Sequence, residues 1–122
     1  MNKYTALSDF EINKKVASHV LNGYYIASEE KQEVYLATMD GGDFLPIAYF
    51  DPCNSPANAM TIIKDNLISI THDGIAWDVS CAKCPELSVW NGLENYNDNF
   101  YRKAMELFLL MKDAENEGWL RR

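Results

Sequence analysis

The residues best equipped for chemistry are three cysteines and two histidines. Cys81-Ala82-Lys83-Cys84 is a C-x-x-C pair, a spacing at which two thiols chelate Zn²⁺ or form a redox couple. A structural zinc takes four ligands. Cys53 and His72 are the soft donors that would complete the set, apart from His19 on the first helix, and there is no second C-x-x-C. A thioredoxin-type pair normally follows a strand and opens a helix, whereas Pro85 and a loop follow here. The plainer reading is two loop thiols. Cys53 offers a second chemistry. It stands between Pro52 and an expected helix start, where the N-terminal dipole lowers a thiol pKa, and His72 or His19 would be its base. No glycine-rich oxyanion loop or orienting acid accompanies it. Its plainer reading is a small buried residue completing a turn.

Other patterns point to less. The helix start at Ser55-Pro56 offers free N–H groups to an anion, but Pro56 removes one donor and nothing glycine-rich surrounds it. No G-x-G-x-x-G or Walker A pattern occurs, so no cofactor is expected. Glu29-Glu30, Asp40 with Asp43, and Asp113 with Glu115 read as solvated turns and faces rather than acid/base dyads. The aromatics say more. Tyr24, Tyr25, Tyr35, Trp90, Tyr96 and Tyr101 exceed what one face of a core this size needs. Trp90, Leu93 and Tyr96 lie in an irregular polar segment, where aromatic residues serve as interface anchors. Those three are the interface candidates.

These groups must be positioned by one domain of 122 residues, long enough to bury about two-thirds of its surface without disulfide or metal staples. The cysteine count is odd, which fits reduced thiols rather than a secreted disulfide framework. Eleven Lys and Arg against 18 Asp and Glu give a net charge of −7. That sign counts against direct nucleic-acid or anionic-membrane binding, since both need a cationic face. The N-terminal region has no apolar run fit for a signal peptide, and Leu107 to Met111 falls far short of a membrane span. A cytoplasmic setting is expected.

The local signals place the elements. Ser8 and Glu11 form a capping box, with Leu7 and Ile12 placed as a hydrophobic staple. Ile12, Val16 and Val20 then recur on one face, and Asn22-Gly23 supplies a left-handed stop, so a helix is expected over about 9–21. Strands are expected at Tyr24 to Ala27, Glu33 to Thr38 and Leu45 to Phe50. Asp40-Gly41-Gly42-Asp43 breaks the chain before the third. Leu45, Ile47 and Tyr49 are expected on one face, and Pro46 marks that strand as an edge. Ser55 as N-cap with Pro56 at N1 starts a short helix over about 56–65. Leu67 to His72 and Ile75 to Ser80 flank Asp73-Gly74, a type I′ hairpin signal. Residues 81–97 read as irregular. A long helix over about 99–116, capped by Asn97 or Asp98, has an apolar arc wide enough to pack on two sides. The expected fold is α+β: a small antiparallel sheet of four to five strands covered on one face by two main helices, with a short third helix.

Three stretches in this order resemble the NinX-like family of small proteins of lambdoid phages and prophages. They are Leu7-Ser8-Asp9-Phe10-Glu11-Ile12-Asn13-Lys14-Lys15-Val16-Ala17; Cys53-Asn54-Ser55-Pro56-Ala57-Asn58-Ala59-Met60, running on to Ile68-Ser69-Ile70 with Trp77 after it; and Ala104-Met105 in the last helix. The resemblance implies a phage or prophage origin and a bacterial cytoplasmic setting, and it brings no catalytic residues. Together with the residues it points to a non-catalytic accessory protein that binds a host or phage protein. The alternatives are a thiol- or zinc-dependent protein using Cys53, Cys81, Cys84 and His72, and an acidic DNA mimic. A sheet edge could also pair with a second copy to give a homodimer.

Overall fold

The computed structural model describes residues 2–89 and 99–117. Among the described residues three helices and six strands follow one another: α1 (Asp9–Val20), β1 (Tyr25–Ser28), β2 (Glu33–Asp40), β3 (Asp43–Tyr49), α2 (Pro56–Asp65), β4 (Ile68–His72), β5 (Trp77–Cys81), β6 (Ser88–Val89) and α3 (Phe100–Asn116). The fold is α+β, and its antiparallel strands divide between two sheets, ordered β1-β2-β3 and β4-β5-β6.

The local chemistry explains the boundaries. The Ser8 hydroxyl accepts from the Glu11 N–H while the Glu11 carboxylate accepts from the Ser8 N–H, closing the capping box of α1. Ser55 caps α2 with Pro56 in its first turn. For α3 the cap is Asn99, not Asn97 or Asp98, because the Asn99 side chain reaches the Arg102 N–H at 3.1 Å.

The tight hairpin also lies elsewhere than at Asp73-Gly74. Asp40 pairs with Asp43, leaving Gly41 and Gly42 as a two-residue turn with φ of 62° and 91°, the left-handed values that type I′ requires. In the β4–β5 connection His72 pairs with Trp77, so four residues form the loop. The Asp73 carboxylate accepts from the N–H groups of Ile75 and Ala76, an Asx-type closure that replaces the tighter turn. Ile75 is thereby lifted out of the strand and left 68% exposed. The two-residue β6, in the stretch read as irregular, completes the second sheet against β5.

Helix α3 is the centre of the molecule. It packs against α1, α2 and β5, and every residue from Arg102 to Leu109 is buried. Its apolar arc does serve two sides. Ile12, Val16, Ala17, Met105, Leu107, Phe108 and Met111 are among the residues of one continuous core. Helix α1 lies between α3 and the first sheet, which it meets at β2.

Candidate functional site

Residues directly opposed across an antiparallel pair share a face, and faces alternate along each strand. Val34 and Leu36 on β2 face inward with Tyr25 and Ala27 on β1, and all four belong to the core or pack on it. The opposite face of β2 carries Tyr35, Ala37 and Met39, whose partners are Ile26, Tyr49, Pro46 and Phe44. Tyr24 continues β1 opposite Ala37, whose N–H donates to the Tyr24 carbonyl. A sheet face turned to solvent is normally polar. Apart from Ser28 and Glu33 at one end, this one is aromatic and apolar.

The rings on it touch. Tyr24 meets Phe44 edge-on at 6.0 Å between centroids, and Tyr35 lies 5.4 Å from Tyr49. Tyr24, Phe44 and Tyr49 are 52%, 47% and 65% exposed. The register shifts between Leu36 and Ala37, which leaves Ile47 without a partner. That shift corrects the expectation that Leu45, Ile47 and Tyr49 share a face: Leu45 stands opposite Thr38 on the inner side and Tyr49 opposite Tyr35 on the outer. Leu45 and Ile47 are nevertheless exposed as well, because the whole of β3 stands clear of the core. Strand β3 is an edge, as Pro46 requires. The Tyr35 phenol donates to the Glu33 carboxylate, which holds the ring in place and pushes its pKa up to about 12.

Beside Tyr49 opens a cleft of about 580 Å³, where the N-termini of all three helices meet. Asn54 donates to Asp9 at 3.0 Å and accepts from Asn99 at 3.1 Å, and Asn99 also donates to the Cys53 carbonyl. Asn13, buried on α1, donates to Asp51 at 2.8 Å and accepts from the Cys53 N–H. Behind them Arg102 donates to Asp9 and Glu106, each at 2.6 Å, and to the carbonyls of Tyr4, Thr5 and Leu7. These polar groups are engaged with one another. Their work is to lock the chain before α1, the turn before α2 and the cap of α3 into one rigid corner.

Cys53 lies inside this corner with no exposed surface. Its thiol is pushed far above the ordinary range, first by burial and then by the nearby Asp9 carboxylate. The expected lowering at a helix N-terminus is overturned, because desolvation of a thiolate outweighs the dipole. Cys81 and Cys84 are brought together: burial raises Cys84 to about 12, and its hydrogen bond with Cys81 adds to the rise. All three thiols are free and buried. His72 stands at the other end of the β4–β5 ladder, since it pairs with Trp77 while Cys81 pairs with Ile68; four residues of strand separate them by about 13 Å. Among the described residues no group of three or more His, Cys, Asp or Glu side chains is placed to hold a metal. His72 instead packs edge-on against Trp77 at 5.0 Å, and His19 against Phe108 at 5.9 Å. Trp90, Leu93 and Tyr96 lie outside the described residues.

Sequence reading singled out Tyr24 and Tyr35 as surplus aromatics but not the face they share with Phe44, Met39 and Tyr49. Its signal was present: Tyr35, Ala37 and Met39 alternate as apolar residues against an inner set that is also apolar. Among the described residues no helix is long and apolar enough to cross a membrane. A comparison with protein families matches residues 3–112 to the family described as Bacteriophage P22, NinX. Comparisons with curated proteins and with solved structures give no match.

Proposed function

The chain belongs to the bacteriophage P22 NinX family, and from that premise we propose that it is an accessory protein that acts by binding another protein in the bacterial cytoplasm. The observation that carries this reading is the outer face of the first sheet. Tyr24, Met39, Phe44 and Tyr49 on this face, with Ile47 at the bulge beside it, are each about half exposed or more. At roughly 100 Å² apiece they offer about 500 Å² of largely apolar surface, toward the upper end of what a monomer presents without a partner. With its rim, that area approaches one side of a standard protein–protein interface.

Supporting observations lie in the chemistry elsewhere. The three thiols are buried and Cys53 and Cys84 are raised in pKa, which is the reverse of an activated nucleophile. The test is capture from lysate of cells carrying the phage, with nuclease present, comparing the wild-type chain with Phe44→Ser/Tyr49→Ser. Both positions are exposed, so the variant folds with near-unchanged stability. A protein retained in stoichiometric amount by the wild type and lost by the variant bears the reading out. Identical captured sets overturn it.

A further inference from the structure

The reading above names a face but no occupant, and the charges around the face supply one. Residues 25–49 carry Glu29, Glu30, Glu33, Asp40 and Asp43 against Lys31 as the single Lys or Arg. From Gln32 to Ile63 there is no Lys, Arg or His at all, while Glu33, Asp40, Asp43 and Asp51 fall in that stretch. Asp40 and Asp43 close the hairpin tip beside Met39 and Phe44. Glu33 stands at the other end, and with Asp51 it lines the cleft that Tyr49 borders. None of these four carboxylates forms an ion pair among the described residues; Glu33 accepts from a phenol, and Asp51 from the carboxamides of Asn13 and Asn54. The apolar face therefore has an acidic margin at both ends.

We infer that the partner seated on the outer face of β1–β3 is a protein surface with an apolar centre and Lys or Arg at its edges. This inference rests on the protein-binding reading. Two other occupants fit the shape but not the charge. An exposed aromatic sheet is also a platform on which unpaired nucleobases stack, but such platforms draw their affinity from cations facing phosphate, and here the margin is anionic. A second copy of the chain would bring an equally acidic margin against this one, and like charges opposed across an interface disfavour the pairing.

The test screens the full-length protein against a random 12-residue peptide library, with Phe44→Ser/Tyr49→Ser as the counter-screen and Asp40→Asn/Asp43→Asn as the charge variant. The expected result is enrichment of peptides combining aromatic or aliphatic residues with Lys or Arg, lost on the face variant. Their binding falls roughly tenfold between about 0.05 M and 0.5 M salt, and falls several-fold on the charge variant. Face-dependent peptides that are neutral or acidic overturn the charge assignment and leave the protein-binding reading standing. A dimer in sedimentation that the face variant abolishes makes a second copy the occupant and overturns this inference alone. Face-dependent binding of a labelled 20-nucleotide single strand, or no face-dependent binder of any kind, overturns both.

Discussion

Arg102 is the residue whose replacement tests the positional logic most sharply. Its side chain is 5% exposed and its partner Glu106 is fully buried. Arg102→Met removes the 2.6 Å bond to Glu106, a fully buried carboxylate that Asn2 at 3.0 Å and Thr5 at 3.4 Å also reach. It also takes the donor away from three carbonyls that hold residues 4–7 onto α3. The Asp9 contact adds less, because that side chain is 46% exposed and its pair is screened. Breaking a buried pair by removing one partner costs about 3–5 kcal/mol, a large share of the stability of a domain this size. The expected drop in Tm is roughly 10–20 °C, with the midpoint of urea unfolding lowered and its slope kept. Adding Glu106→Gln to the same chain neutralises the buried charge that has lost its guanidinium and returns roughly 1–2 kcal/mol. Lysine at 102 does not rescue fully, since it lacks the planar fork that meets two carboxylates and three carbonyls at once. An Arg102→Met protein within about 1 kcal/mol of wild type, or a double variant less stable than the single, would refute the claim that this pair holds the corner together.

Other consequences are open to simpler assays. A thiol reagent is expected to label none of Cys53, Cys81 and Cys84 quickly in the native protein and all three after denaturation; one rapidly labelled thiol would restore the thiol-dependent reading. The Tyr4 phenol donates to Asp113 at 2.5 Å, and Lys3 pairs with the same oxygen at 3.0 Å. Burial works to raise Asp113, but these bonds outweigh it and hold the carboxyl below its ordinary pKa. The stability it contributes is full above the ordinary carboxylate range and is lost as pH falls through the lowered value. Tyr4→Phe should therefore cost about 1–2 kcal/mol at neutral pH, with the gap from wild type closing in acid, as urea titrations at several pH values would show. Gly42→Val forces a branched side chain into φ of 91°. It is expected to cost about 1–3 kcal/mol and to weaken partner binding through displacement of Phe44, whereas a wild-type melting curve would contradict the turn assignment.

What was legible in the sequence was local. The Ser8–Glu11 box and the Ser55-Pro56 start depend on residues three or four apart, and both helices begin where those residues place them. The strand faces were less legible because one unpaired residue reverses the phase. Ile47, skipped by the ladder, moves Tyr49 to the face opposite Leu45, and no residue type at 45–49 announces it. Asp73-Gly74 misled for a related reason: a carboxylate that reaches two N–H groups closes a four-residue loop as well as a glycine closes a two-residue one. The corner of Asn13, Asn54, Asn99 and Arg102 joins positions up to about ninety apart. The one local hint was polar residues, Asn13 and then Arg102 with Glu106, set among the apolar positions of α1 and α3. Such residues on a buried arc must have partners, but their spacing cannot say which.

An apolar sheet face beside an open edge strand is a hazard as well as an opportunity, because unpaired N–H and C=O groups invite another chain to extend the sheet. The same residues that frame the face limit that hazard. Pro46 has no N–H to give and interrupts β3 at its middle. The register shift at Ile47 twists the strand away from the flat geometry that further pairing needs. Asp40 and Asp43 place two charges at the tip, where a growing stack would have to repeat them. Contact along the edge is thus discouraged while contact on the face is left free. Docking by side chains onto Tyr24, Phe44 and Tyr49, rather than by strand addition to β3, is what this arrangement favours. On that geometry, a partner's affinity falls when the exposed rings are truncated and is little altered by backbone changes along the outer edge of β3.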